Sequence, residues 1–561
     1  MRSSSNSSSA RPRGPRITPS AASGTTKTVA AKAKAKAAKD AEAQSSSPPP
    51  PPTAGLSARG YWVLKADLAP GVEAELRREC TMAPVQAPGG IAAALGAAPP
   101  EFELWRETET RLYLPKYFGL RRFGAPPAAR VTLDPGDRVE PPLRFAGSIR
   151  DEQRLPIEAF LQAARDPARM GGILSLPCGF GKTVAALYLV AQLGVRAMVV
   201  VHKDFLLNQW RERIAEFLPD ARVGLVKAKT VDVEGKDIVL ASVQSLAMKR
   251  YDDALFGGIG FLIIDECHRV GTEVFSRALH KTNFRYSLGI SATVNRKDGM
   301  TKAFVAFLGD VLFRGKRRED SVVVVQRGFW DASPEYSREV SIGSLGKPNV
   351  SRMINNITEF PPRIEAVADA IADLLGRESM RKVLVLSDRK AQLTAVRDAL
   401  TVRSIDSGFY WGGMKRAALA ESEGRTVMLA TFAYAAEGMD VPGLDTLVLA
   451  SPKSDIEQSV GRILRLKAGE RRVTPLVYDL VDQFSLFERQ GAKRAAFYRK
   501  FKYPIFRDLD SAYKAMTLAA AEGHRAARAS ASDDEEDEDE GARGADEEER
   551  RAFAFLEQED V

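Results

Sequence analysis

Short apolar runs recur along the middle of the chain, with amphipathic stretches between them. Five of them, "ILSLP", "AMVVVH", "DIVLAS", "FLIIDE" and "YSLGIS", fall between residue 146 and about residue 315. Nearly uninterrupted apolar runs that alternate with helical patterns predict a parallel sheet wrapped by helices. A second series, "KVLVLS", "TVMLAT", "TLVLAS" and "PLVYDL", repeats the pattern downstream. The predicted fold class is therefore α/β, with two tandem parallel-sheet lobes at 146–315 and 316–505. Residues 56–145 mix apolar clusters such as "GYWVLKADL" with frequent Pro and Gly, which predicts a small α+β module. Residues 1–55, with their "SSSPPPPP" run, and 506–561, with their acidic block, are expected to be disordered.

Charge is distributed unevenly. Residues 1–39 hold nine Lys and Arg and no acid, a basic arm that suits nucleic acid, a transit peptide or plain solvation. Residues 533–549 carry a net charge of −11, against +8 for the chain, which leaves +19 elsewhere. So large an excess suggests an anionic polymer as partner. The acidic tail is expected to solubilise the chain, to compete with nucleic acid for the basic body, or to dock a protein partner through Phe553, Phe555 and Leu556. In the N-terminal module, Tyr113, Lys116, Tyr117, Arg121, Arg122 and Phe123 interleave aromatics with cations. They make either a nucleic-acid surface or, the favoured reading for that stretch alone, a core with a basic rim. Three cysteines are too few for a disulfide scaffold and point to a soluble protein of a reducing, intracellular compartment. No run approaches 18 apolar residues, so no membrane span is expected.

The chemistry is concentrated in a few short stretches. In "LPCGFGKT" an apolar strand runs into a glycine turn and then a helix. Gly179 and Gly181 let the backbone approach a ligand, and Cys178, Phe180 and the turn N–H groups surround an anion at a helix N-terminus. Lys182 adds a charge and Thr183 a hydroxyl suited to magnesium. Leu176 stands where the usual phosphate-loop pattern has its first glycine. In "FLIIDECHRV" a strand delivers Asp265 and Glu266 to its C-terminal end, where parallel sheets bind ligands. Asp265 can hold magnesium and Glu266 can deprotonate water. Cys178 and Cys267 flank this chemistry and are either inert packing residues or reactive thiols.

These stretches resemble the motifs of superfamily 2 DEAD/DEAH-type helicases. "LPCGFGKT" is similar to the Walker A loop and "DECH" to the Walker B box; "VVVHKDFLLNQW", "ASVQSL", "SAT", "VLSDRKAQL", "ATFAYAAEGMDVPGLDTLVLASP" and "QSVGRILR" resemble the remaining motifs in order, from about 148 to 480. The resemblance implies two RecA-like lobes, an ATP site with Mg2+, and nucleic acid as partner, DNA ahead of RNA. It implies that Arg462 and Arg465 act as arginine fingers, that Gln458 orients water or phosphate, and that Asp440, after Gly438, touches the ribose or a finger. Gln153 falls at the adenine-reading position, against the reading of a surface helix residue. His268, Ser291, Ala292 and Thr293 would couple the phosphate site to a nucleic-acid track that includes Lys203, Gln244, Ser245, Arg389 and Thr431. "SATVNRKDGM" resembles the XPB-like translocases, with lysine replacing glutamate in the element at 296–298. "LYLPKYFGL" and the region after "QSVGRILR" resemble helicases of large DNA viruses, including the poxvirus transcript-release type. That implies a role in viral transcription termination or repair, in a nucleus, viral factory or virion. A restriction-type motor subunit, an RNA helicase and a non-hydrolysing binding module are the alternatives.

Overall fold

The structure is a computed structural model that describes residues 51–85, 101–177, 179–269, 273–296, 298–316, 321–342, 347–439, 441–466, 468–519 and 521. The basic arm and the acidic tail lie outside the described residues.

The first lobe is an eight-stranded sheet. Its order is Thr230–Asp232, Val223–Lys227, Ile238–Ser242, Ala197–Val201, Phe261–Asp265, Tyr286–Ser291, Gly171–Ser175, Val311–Arg314. All pairings are parallel except the hairpin at 223–232. Every residue of Ala197–Val201 and of Ile238–Ser242 is buried, as expected for strands covered by helices on both faces. The second lobe has seven parallel strands in the order Ser407–Tyr410, Val427–Thr431, Val383–Ser387, Thr446–Leu449, Leu476–Asp482, Val323–Phe329, Ile505–Phe506. These sheets give the chain the expected α/β class with tandem RecA-like lobes.

The lobe and arm boundaries differ from the expected ones. Ile505–Phe506 pairs with Val323–Phe329, and Leu509 and Ala512 are buried in the same core. The second lobe therefore extends past residue 505, because the short edge strand carries no periodicity of its own. Likewise Ala54–Ser57 pairs with Gly60–Leu64, so the module begins before residue 56.

The N-terminal module is a four-stranded antiparallel sheet, Ala54–Ser57, Gly60–Leu64, Arg111–Leu114, Arg106–Glu107, with the helices Val72–Glu79 and Lys116–Phe123. It shares a core with the first lobe through Met170, Met300 and Ala303. Lys116 is wholly buried and donates to the carbonyls of Phe284 (2.8 Å) and Arg285 (3.1 Å) and to Ser287 Oγ (3.0 Å). Burial, followed by the charge of Arg285, pushes its pKa down to about 7. Tyr117 is buried and bonds the Met170 carbonyl, and Arg121 pairs with Asp310. The aromatic and cationic stretch is thus a docking helix with a basic rim, not a free surface for nucleic acid.

Two buried ion pairs organise the second lobe. Arg363 grips Asp482 with two bonds (2.6 and 3.0 Å) and donates to the Ala450 carbonyl (2.5 Å). Arg494 grips Asp479 and donates to the Lys453 carbonyl (2.6 Å). Both pairs therefore fix the segment that leads into residues 457–465. Among the described residues no helix is long and apolar enough to cross a membrane.

Candidate active site between the lobes

Register brings the chemistry to one edge of the first sheet. Asp265 is opposite Ile290, and Ser291 is opposite Ser175, the last residue before the phosphate loop. Parallel strands of matched length must therefore deliver "DECH", "SAT" and the loop to the same C-terminal crevice.

The loop needs its glycines. Gly179 and Gly181 have φ of +79° and +83°, and a Cβ on Gly181 would lie 2.4 Å from Gln153 Nε2. The helix Lys182–Leu193 starts directly after it and points its N-terminus into the crevice. Gln153 is buried rather than a surface residue. Its amide donates to the carbonyls of Phe180 (3.0 Å) and Gly181 (3.2 Å), and its Oε1 accepts from Arg150 N–H (3.0 Å). Arg150 also donates to the Phe180 carbonyl (2.5 Å). Both side chains thus hold the loop from behind. Phe180 packs against the lobe core. Cys178 lies outside the described residues.

Lys182 Nζ lies 3.3 Å from Glu266 Oε1. Burial pushes the Glu266 carboxyl up, but Lys182 and His268 together hold it well below the usual range. Asp265 moves the other way, raised by burial and by the Glu266 charge against the pull of Lys182 and Trp210. Asp265 Oδ2 accepts from Trp210 Nε1 (2.9 Å), and Oδ1 accepts from Glu266 N–H (2.9 Å). Glu266 itself sits at φ +48°, a left-handed conformation uncommon for a non-glycine residue. His268 Nδ1 is 2.8 Å from Ser291 Oγ and 3.2 Å from Glu266 Oε2. The Ser291 hydroxyl donates to the Thr293 carbonyl (2.6 Å), so it accepts from His268, which makes Nδ1 the protonated nitrogen. Ala292 lies between these two partners in the chain. Arg296 pairs with Asp298 and also donates to the His268 carbonyl.

From the second lobe, Arg462 and Arg465 both donate to the Met439 carbonyl, at 2.5 and 3.1 Å. The Leu464 carbonyl is 3.8 Å from where a Cβ on Gly179 would stand, so this segment already abuts the phosphate loop. Gly438 ends the helix Phe432–Gly438. Asp440 lies outside the described residues. Gln458, on the short helix Glu457–Val460, is half-buried and does not line the cleft.

One cleft of about 1660 Å³ joins these parts. Lys182, Thr183, Asp265 and Glu266 line it from the first lobe, Arg462 and Arg465 from the second. Lys203, Gln244, Ser245 and Thr431 line the same cleft. Phe205 and Tyr434 meet across it with ring centroids 5.4 Å apart. Arg389 is not on its wall; the guanidinium binds Asn355 Oδ1 (2.5 Å) and Ser351 Oγ (3.0 Å) of the helix Val350–Glu359. Cys267 is wholly buried, and burial followed by Glu266 and Asp265 pushes its thiol pKa far up, so it is a packing residue.

The oxygens of Thr183 and Asp265 in one cleft are hard donors that fit magnesium. Among the described residues there is no group of three or more His, Cys, Asp or Glu able to hold a metal. A divalent ion here would complete its shell with water and phosphate, as magnesium does.

Sequence reasoning missed Trp210 and Arg150. Trp210 shares the helical spacing of Leu206, Leu207 and Ile214, which marks a core face and hides its polar N–H. Arg150 precedes the helix Asp151–Arg165, where a cation carries no motif signal of its own.

Comparison with known proteins places the chain. Residues 147–296 match the family described as type III restriction enzyme, res subunit. A protein of Acanthamoeba polyphaga mimivirus named as an ATP-dependent RNA helicase is 32% identical over 413 residues, 72% of this chain and 77% of that one. A protein of African swine fever virus with the same kind of name is 24% identical, over 60% of this chain and 69% of its own. One of Escherichia phage T5, named as a helicase, is 26% identical over 66% of this chain and 78% of its own. On that identity and coverage, the chain belongs to the superfamily 2 ATP-dependent helicases of large DNA viruses.

Proposed function

We propose that the protein is a Mg-ATP-driven motor that tracks along DNA without reading sequence, in viral transcript release or repair. The single observation that carries this reading is the shared cleft, with phosphate-site residues and candidate track residues on one continuous wall.

When bound, magnesium would supply charge neutralisation of the phosphates, held by Thr183 and Asp265. Lys182 grips the phosphates and in doing so leaves Glu266. Without that partner, the buried carboxylate becomes a stronger base and takes the proton of the attacking water. Arg462 and Arg465 turn from the Met439 carbonyl to the transferring phosphoryl group as the lobes close, and Gln458 and Asp440 complete that side. Gln153 supports the loop and, on closure, reads the adenine. The path Glu266–His268–Ser291–Thr293 couples hydrolysis to the track. Lys203, Gln244, Ser245 and Thr431 contact phosphates, which makes binding salt-sensitive and sequence-independent. Arg389 braces the second lobe rather than the strand.

RNA as substrate is the second reading, favoured by the printed names of the mimivirus and African swine fever virus relatives. ATPase rates measured side by side with single-stranded DNA and RNA decide between them. Glu266→Gln should abolish turnover and keep ATP and nucleic-acid binding; full turnover in that variant overturns the mechanism.

A further inference from the structure

A line of contacts leads out of the cleft onto a second basic face. Ala228 and Ser245 line the cleft, and Ser245 Oγ accepts from Ala228 N–H at 2.8 Å. The Ala228 carbonyl accepts from Lys249 Nζ. Lys281 donates in turn to the Lys249 carbonyl and to the Leu246 carbonyl (2.7 Å). Its ammonium therefore covers the C-terminal end of the helix Val243–Met248, which carries Gln244 and Ser245.

Beyond Lys281 the neighbours are cations. The charges acting on it, after burial, are Arg106, Arg250 and Arg277, and together they hold its pKa below the usual lysine range. Burial and then the charge of Arg59 lower the Arg106 pKa, and burial and then Arg106 push that of His280 down to about 3. Arg277 pairs with Glu273; among the described residues Arg59, Arg106, Arg250, Lys281 and Arg285 make no ion pair within 4 Å. Arg59, Arg106, Arg250 and Arg277 are exposed. Apart from Glu273, no described carboxylate pairs with these cations, and such a local positive excess suits a polyanion.

Two of these cations, Arg59 and Arg106, come from the N-terminal module, and the module is fixed to the lobe. Asn283 Nδ2 donates to the Ser57 carbonyl (2.8 Å) beside the turn that carries Arg59. Lys116 plugs into the segment at 284–287. Arg106 is opposite Tyr113 in the sheet, on the face away from the core residues Leu112 and Leu114, while Glu107 on the other face pairs with Lys65 and Arg77. Strand alternation thus turns the cation outward and the acid away from it.

We infer that nucleic acid leaving the cleft past Gln244 and Ser245 continues onto the face formed by Arg250, Lys281, Arg106 and Arg59, so that the N-terminal module forms part of the nucleic-acid footprint. The inference rests on the reading of the cleft as a nucleic-acid track. The partner is the sugar–phosphate backbone, bound through charge rather than bases.

The test uses the full chain and two fluorescent probes, a 10-nucleotide and a 30-nucleotide oligo-dT. The triple variant Arg59→Ala/Arg106→Ala/Arg250→Ala should bind the long probe several-fold more weakly. The slope of log affinity against log salt should fall by about 2, at about 0.7 per cation for single strands. ATPase stimulated by the short probe should stay unchanged, and replacing the same three residues by Lys should restore long-probe affinity. Equal long-probe affinity and slope in variant and parent overturn the inference, and so does a loss of short-probe stimulation that matches the loss on the long probe. If the parent chain itself responds to neither probe, the proposed function fails, and this inference with it.

Discussion

Trp210 donates its indole N–H to Asp265 Oδ2 at 2.9 Å, from a helix whose N-cap is Lys203. The helix that starts at a candidate track residue therefore grips the carboxylate of the phosphate site two turns later. A shift of that helix moves both.

Trp210→Phe removes this bond and, because Trp210 is wholly buried in the lobe core, also leaves a small cavity. Hydrogen bonds to charged groups contribute about 1.5–3 kcal/mol, so turnover should fall on the order of tenfold, with a higher magnesium requirement and a modestly lower melting temperature from the cavity. A magnesium titration of ATPase reads this directly. Parent-like turnover and titration would remove Trp210 from the site.

Gly181→Ala asks the loop for two things it cannot give. The backbone stands at φ +83°, and the new methyl would lie 2.4 Å from the Gln153 amide. Nucleotide affinity should fall at least tenfold with the fold intact, measured by equilibrium binding of a fluorescent ATP analogue. Arg150 Nη2 would lie 2.7 Å from the same methyl and Gln153 itself holds the loop, so Gly181→Ala/Gln153→Ala should not restore binding.

The Arg363–Asp482 pair is wholly buried at both ends. Asp482→Ala strands a buried guanidinium and should destabilise the chain by about 3–5 kcal/mol. Arg363→Met/Asp482→Leu should recover most of that loss, because no charge is left unpaired. Chemical denaturation of the two variants tests the contrast; equal losses would contradict it.

Lys116 makes stability depend on pH. Its folded pKa is about 7 against the ordinary lysine value of 10.5. Between those values the unfolded chain keeps a proton that the folded chain has released, so stability rises with pH across that window. Below about pH 7 both states are protonated and the slope vanishes. Comparing melting temperatures of the parent and Lys116→Met from pH 7 to pH 10 isolates this contribution. The parent should gain on the variant as pH rises, and parallel curves would refute the assignment.

Residues differ in how much of this could be read from sequence. Ala197–Val201 and Val383–Ser387 were legible because burial on both faces forces an unbroken apolar run. Val223–Lys227 alternates buried and half-buried positions near the sheet edge, so its pattern is weak. The phosphate loop and "DECH" were legible because their chemistry is local in sequence. Lys116 was not, since a lysine between aromatics looks like a surface cation until its three acceptors arrive from a segment more than 160 residues away. Arg363 and Asp482, 119 residues apart, form a site only once the second sheet has closed.

The continuous cleft has a thermodynamic consequence. If nucleotide and strand share this one cleft, the binding of each is coupled to that of the other. If nucleotide raises affinity for the strand by some factor, the strand raises affinity for that nucleotide by the same factor. Measuring one arm of that cycle therefore fixes the other.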